Sequence, residues 1–188
     1  MARALRRSGD PGPLEVRIAP MRRRHLRGVL RIEQQVYPRP WTFSLFLSEI
    51  GQRSTRVYVV ARVGSEVVGY AGLFKAGDDG HITTVAVDPA WQRQGIASRL
   101  LLVLARAAAE WRCHNLTLEV RMSNSGAQAL FQRLGFVPAG VRKGYYPETG
   151  EDALVMWAND IDGPEFAERL ARLEAGVPGR TVIEGGWI

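Results

Sequence analysis

The chain has 188 residues, 46% hydrophobic and 23% charged, with a formal net charge of +6 and a pI of about 10.1. That is the composition of a folded globular protein rather than a disordered or fibrous one, and the length suits one domain with a sizeable core. One cysteine, Cys113, excludes an internal disulfide, and no apolar run reaches membrane-spanning length, so a cytoplasmic protein with no membrane attachment is expected.

Of the 25 basic residues only Lys75 and Lys143 are lysines. Coding bias toward arginine accounts for this, and so does a phosphate-bearing partner, whose oxygens the guanidinium fork matches. Residues 1–13 are rich in Arg, Gly and Pro, lack periodicity and an apolar signal segment, and read as a flexible basic arm. "LEVRIAP" alternates as a strand does. "MRRRHLRGVLRIEQQVY" sets Leu26, Val29, Leu30 and Ile32 at helical spacing, with Arg22, Arg23 and Arg24 as a solvated start. "YPRPW" breaks that helix, and "TFSLFLSEI" begins a second one capped by Thr42 or Ser44.

"RVYVVARV" and "EVVGYAGLFKAG" form a hairpin across "GS", and "HITTVAVDP" is the next strand. "GIASRLLLVLARAAAEWR" carries Leu100, Leu101, Leu104, Ala108 and Trp111 on one stripe. "NLTLEV" is a strand, and "SNSGAQALFQRLGF" a helix capped near Ser123 or Asn124 and stopped by Gly135. "FVPAGVRKGYY" and "DALVMWAND" are strands, "GPEFAERLARLEAG" a helix, and "VPGRTVIEGGWI" an irregular tail. Residues 14–160 make the main domain and 161–188 a terminal helix and tail. The order predicts a mixed α/β fold whose sheet is parallel where helices intervene.

The most informative junction is "VDPAWQRQGIASRLL". Pro89 stops a strand, and a helix begins at Gly95 or Ile96. The free amides and dipole of a helix start attract anions, Gly95 allows close backbone approach, and Arg93 adds charge. A diphosphate fits there, although neither the Walker spacing nor the dinucleotide GxGxxG is present.

Gln92, Gly95 and Ala97 stand in the fixed positions of a Q/R-x-x-G-x-G/A motif, and "LEVRMSNSGAQALFQRLGF" and "GYYP" follow it. This pattern resembles the GNAT acetyltransferase superfamily, in the branch of RimI-type N-terminal alanine acetyltransferases of ribosomal proteins, over roughly Leu14 to Trp157. The resemblance implies a GNAT fold: a central, mostly antiparallel mixed sheet, with one splayed parallel strand pair, flanked by helices. It implies acetyl-CoA as co-substrate and no metal. The partner is a protein or peptide N-terminus, with ribosomal proteins as substrates. Neither nucleic-acid binding nor a second subunit is required, so a monomer is expected.

Residue by residue, the resemblance implies that Val85, Ala86 and Val87 line the split, with the Val87 amide facing the thioester oxygen. Arg93, Gln94, Gly95, Ile96, Ala97 and Ser98 cradle the diphosphate. Asn124 contacts the coenzyme or serves as a helix cap, or both. Glu119 matches the general base; as a plain strand-end carboxylate it would pair with Arg121. Tyr145 and Tyr146 line the peptide groove or pack as surface aromatics, and Tyr37 and Trp41 form its other wall, Trp41 with a core role as the alternative.

The sequence departs from the family at Phe131, which stands where a tyrosine normally protonates the leaving thiolate. Phenylalanine cannot donate, which leaves water, Tyr145 or Tyr146. The thiol, of pKa about 8.5, is a tolerable leaving group regardless. Small-amine or lysine acetylation, and a non-catalytic acyl-CoA sensor, stand as the rival readings. His25, His81 and His114 lack metal-ligand spacing, and His81 reads as a solvent-exposed residue at a strand start.

Overall fold

A computed structural model describes residues 12–185. The basic arm expected over 1–13 therefore lies almost wholly outside the described residues. Among the described residues, eight strands form one mixed sheet: β1 (Glu15–Pro20), β2 (Arg56–Val63), β3 (Glu66–Ala76), β4 (Asp79–Val87), β5 (Asn115–Arg121), β6 (Val137–Tyr146), β7 (Glu151–Ala158) and β8 (Arg180–Ile183). Their spatial order is β6-β7-β5-β4-β3-β2-β1-β8. Of these pairs, β4–β5 and β1–β8 are parallel and the others antiparallel. The helices are α1 (Leu26–Val36), α2 (Phe43–Gly51), α3 (Ile96–Glu110), α4 (Ser125–Arg133) and α5 (Pro164–Ala175).

Short turns between apolar runs build the antiparallel part, since a two-residue loop can only return the chain beside itself. Gly64, at φ +57°, closes β2 onto β3. The parallel step from β4 to β5 needs a crossover, and α3 supplies it. The predicted α3 stripe is buried at Leu100, Leu101, Leu104 and Ala108, while Trp111 packs at its margin. At roughly 2 kcal/mol per buried leucine, this face is the main anchor of one side of the sheet. On the other side α1 and α2 bury Leu26, Val29, Ile32 and Phe46 against Val60, Tyr58 and Tyr70. Thr42 caps α2 through its hydroxyl, which accepts from the Leu45 amide at 3.2 Å.

The C-terminal segment corrects the expectation of an irregular tail. Arg180–Ile183 is a strand, β8, paired in parallel with β1 from Glu15↔Arg180 to Ile18↔Ile183. The Arg180 amide donates to Leu14 O and the Glu184 amide to Ile18 O, each at 2.8 Å. A four-residue strand bounded by "PG" and "EGG" carries almost no periodicity. It forms because β1 offers an open edge that needs covering.

Candidate active site

The parallel pairing of β4 with β5 stops at His81↔Thr117. β4 runs on to Val87 and β5 to Arg121, so the two strands part and leave a split between them. On its other edge β4 stays paired with β3 through Gly69↔Val87, and the Asp88 amide donates to Val68 O at 2.9 Å. Backbone groups alternate sides along an antiparallel strand, so those of Val85 and Val87 face the split and those of Ala86 face β3. Both outward carbonyls accept from side chains: Val85 O from the Tyr37 hydroxyl at 3.0 Å, Val87 O from Gln92 Nε2 at 3.4 Å.

Beyond the split, Asp88 caps a 3-10 turn over Pro89–Trp91 by accepting from the Ala90 amide at 2.9 Å. Arg93 and Gly95 both adopt left-handed backbone, at φ +63° and +75°, on either side of Gln94. α3 starts immediately after, and its first intrahelical bond runs from the Arg99 amide to Gly95 O. The amides of Gly95, Ile96, Ala97 and Ser98 therefore have no intrahelical acceptor, as at any helix start. These free amides form a cradle at one end of the split that an anion would fit. A side chain at Gly95 would need strained backbone, and its Cβ would lie 2.8 Å from Arg99 Nη1.

Glu119 lies on β5 with its side chain 8% exposed. One carboxylate oxygen is 3.2 Å from His81 Nε2 on β4, the other 3.3 Å from Arg142 Nη2 on β6. Two sequence expectations fail here. Arg121 is not the partner of Glu119; it pairs with Glu148 and Glu151 and lies 3.8 Å over the Tyr146 ring. His81 is not a solvent bystander but half-buried, facing Glu119. Burial lowers its pKa below the usual 6.5, Glu119 opposing and Arg142 reinforcing, so a neutral, proton-accepting imidazole is favoured near pH 7. Neither partner was readable locally, because the contacts depend on the register of β4 against β5 and of β6 against β7.

Tyr145 and Tyr146 both lie within the field of this carboxylate. Tyr145 is 42% exposed and Tyr146 packs edge-on against it at 5.1 Å. Burial raises the pKa of Tyr145, with Glu119 adding to the rise. Burial likewise pushes Tyr146 up to about 12, Arg121 opposing and Tyr145, Tyr37 and Glu119 contributing. Tyr37 also lies 3.3 Å from Thr84 Oγ1, which ties the α1–α2 connection to the split. Trp41 packs on Phe46 and Tyr58, as its alternative core role would have it, and stays partly exposed.

Glu33, which the sequence did not mark, fixes this connection. Its carboxylate accepts from the Trp41 amide at 2.8 Å and from the Tyr70 hydroxyl. Burial pushes its pKa up to about 7. Asn124 caps α4, its side chain accepting from the Ala127 amide at 3.1 Å. Phe131 is buried against Phe136, with ring centroids 5.8 Å apart.

A split that can seat an extended amide chain, ending in an anion cradle, suits the transfer of an acyl group from a thioester carrier, and the chain is an acyltransferase. More narrowly, residues 26–136 match the model of the Acetyltransferase (GNAT) family, and the chain belongs to that family. It is 35% identical to the putative [ribosomal protein bS18]-alanine N-acetyltransferase of Bacillus subtilis (strain 168), over 73% of this chain and 91% of that protein. It is also 35% identical to the [ribosomal protein bS18]-alanine N-acetyltransferase of Escherichia coli (strain K12), over 66% of this chain and 84% of that one. The crystal structure of the ribosomal-protein-S18-alanine N-acetyltransferase from Escherichia coli superposes with a TM-score of 0.70 at 32% identity, covering 77% of this chain and 94% of that one.

Proposed function

We propose that the protein transfers the acetyl group of acetyl-CoA to the α-amine of a protein N-terminus, with the N-terminal alanine of the small-subunit ribosomal protein bS18 as the preferred substrate. The observation that carries this reading is the Glu119–His81 pair beside the β4–β5 split, within a chain 35% identical to enzymes named for that reaction.

In this reading the pantetheine arm of acetyl-CoA enters the split and pairs with the outward backbone groups of Val85 and Val87. The diphosphate rests on the amides of Gly95 to Ser98, with Arg93 and Gln94 beside it, Ala86 as the strand's inner support and Asn124 at the neighbouring helix start. The substrate α-amine, of pKa about 7.7–8.0, is mostly protonated near neutrality and must lose a proton to attack. Glu119 accepts that proton directly or through water, and neutral His81 beside it can hold it in turn. The free amine attacks the thioester carbon. The amide of Val87 stabilises the resulting oxyanion, and as it collapses the coenzyme thiolate leaves and the nitrogen gives up its extra proton to His81 or water. The thiolate takes up a proton from Tyr145 or from water, since Phe131 has none to give. Tyr37 and Tyr146 flank the incoming peptide, and Trp41 supports that wall from the core side.

The test is thiol release from acetyl-CoA with short peptides that differ only in their first residue. Turnover is expected on Ala-starting peptides and none on N-terminally blocked peptides that contain lysine. Turnover on blocked lysine peptides or small amines alone would overturn the α-amine assignment.

A further inference from the structure

Arg99 is the largest fully buried side chain among the described residues, at 1% exposure. It sits in the first turn of α3, directly after the anion cradle. Nη1 donates to Gln94 O at 3.0 Å, Nε to Thr181 Oγ1 at 3.0 Å, and Nη2 to Pro178 O. None of these acceptors is charged, and among the described residues no carboxylate lies within ion-pair distance of the guanidinium. A buried cation without a counter-ion is costly to keep, so it is held here by dipoles alone.

The same guanidinium thus joins two parts of the chain far apart in sequence. One is the cradle carbonyl at Gln94. The other is the segment Val177–Ile183, which lies outside the matched family region 26–136. Val177 also occupies the space beside Gly95, where an added Cβ would meet its Cγ1 at 3.0 Å. On its far side the segment is fixed to β1 through β8.

We propose that Arg99 and the C-terminal segment Val177–Ile183 act as a brace that sets the cradle geometry and places one uncompensated positive charge beneath it, making the C-terminal strand part of the acetyl-CoA site. This rests on reading that loop as the diphosphate site. Arg99 is a positioning residue: it acts through Gln94 and through its field. The bound diphosphate supplies the anion that the guanidinium lacks, so coenzyme binding and docking of β8 reinforce each other.

The test compares two acetyl donors on the full chain: acetyl-CoA, and S-acetylpantetheine, which carries the same thioester but no diphosphate. Arg99→Met removes the buried charge and the Gln94 brace together and is expected to raise KM for acetyl-CoA about tenfold, with kcat and peptide KM within about threefold. Kinetics with S-acetylpantetheine should not move. Arg99→Lys, which keeps the charge but loses the fork, should fall between. Equal losses with both donors would mean a merely structural staple and overturn the brace. A wild-type enzyme with equal KM for both donors would instead overturn the underlying diphosphate reading.

A second measurement needs no variant. Coenzyme A should slow amide hydrogen exchange at Arg180, the first residue of β8, and at Glu184, just past its end, which bond Leu14 and Ile18, and pantetheine should not. Unchanged exchange at both amides with saturating coenzyme A would overturn the proposal.

Discussion

Replacing Glu119 by Gln tests the chemistry most directly, because it removes the proton acceptor and little else. The side chain is 8% exposed and its shape is kept. Arg142, left without its anion, is 59% exposed and resolvates at little cost. His81 loses the one neighbour that raises its pKa, so it stays neutral at pH 7. Thermal stability should therefore hardly change. Loss of a positioned general base costs about 10²- to 10⁴-fold in rate, or roughly 3–5 kcal/mol of barrier. The size of the defect should depend on pH. At pH 7 roughly a tenth of an α-amine of pKa about 8 is free, and at pH 9 about nine-tenths is, so raising the pH supplies about a tenfold recovery without any base. The assay is thiol release with an Ala-starting peptide at saturating acetyl-CoA, from pH 6 to pH 9. A Glu119→Gln enzyme within threefold of wild type at pH 7 would refute the base assignment. A large defect that is constant across the range would show that Glu119 positions the substrate rather than taking its proton.

Four further outcomes follow from the same structure. Tyr145→Phe should lower kcat about tenfold if its hydroxyl protonates the thiolate, and adding Phe131→Tyr should restore part of the loss; an unchanged kcat in Tyr145→Phe would assign the step to water. Gly95→Ala forces a side chain into left-handed backbone against Arg99 and Val177, and should weaken coenzyme A binding and cost on the order of 1–2 kcal/mol of stability, read by calorimetry and urea unfolding. Leu104→Ala removes a fully buried α3 side chain and should cost about 3 kcal/mol in urea unfolding. Glu33 has a folded pKa of about 7 against about 4.5 unfolded, so its contribution to stability falls as pH rises from about 4.5 to 7, by on the order of 3 kcal/mol. His25, which burial lowers to about 4, acts in the opposite sense over nearly the same window, so the curves of wild type and Glu33→Gln must be compared: the variant should gain stability with pH where wild type stays flat.

Local signals made most of the fold legible. The Thr42 cap, the Gly64 turn and the leucine stripe of α3 each act within a few residues, and each appears where the sequence put it. The cradle was legible for the same reason, since strand, proline, glycine and helix follow one another within a dozen positions. What escaped was set by long-range register. His81 and Glu119 are 38 positions apart in a parallel pair that stays together for only three residues, and no periodicity reports where such a pair ends. Arg142 reaches Glu119 across β7, and Glu33 meets Tyr70 from a helix on the opposite layer.

The same limit explains β8. Four residues say little about themselves; the open edge of β1 and the buried guanidinium of Arg99 decide their conformation. A buried arginine whose acceptors among the described residues are all neutral makes sense when a ligand brings its anion. On that account β8, which the sequence hid, and the Gly95 turn, which it stated most plainly, serve one site.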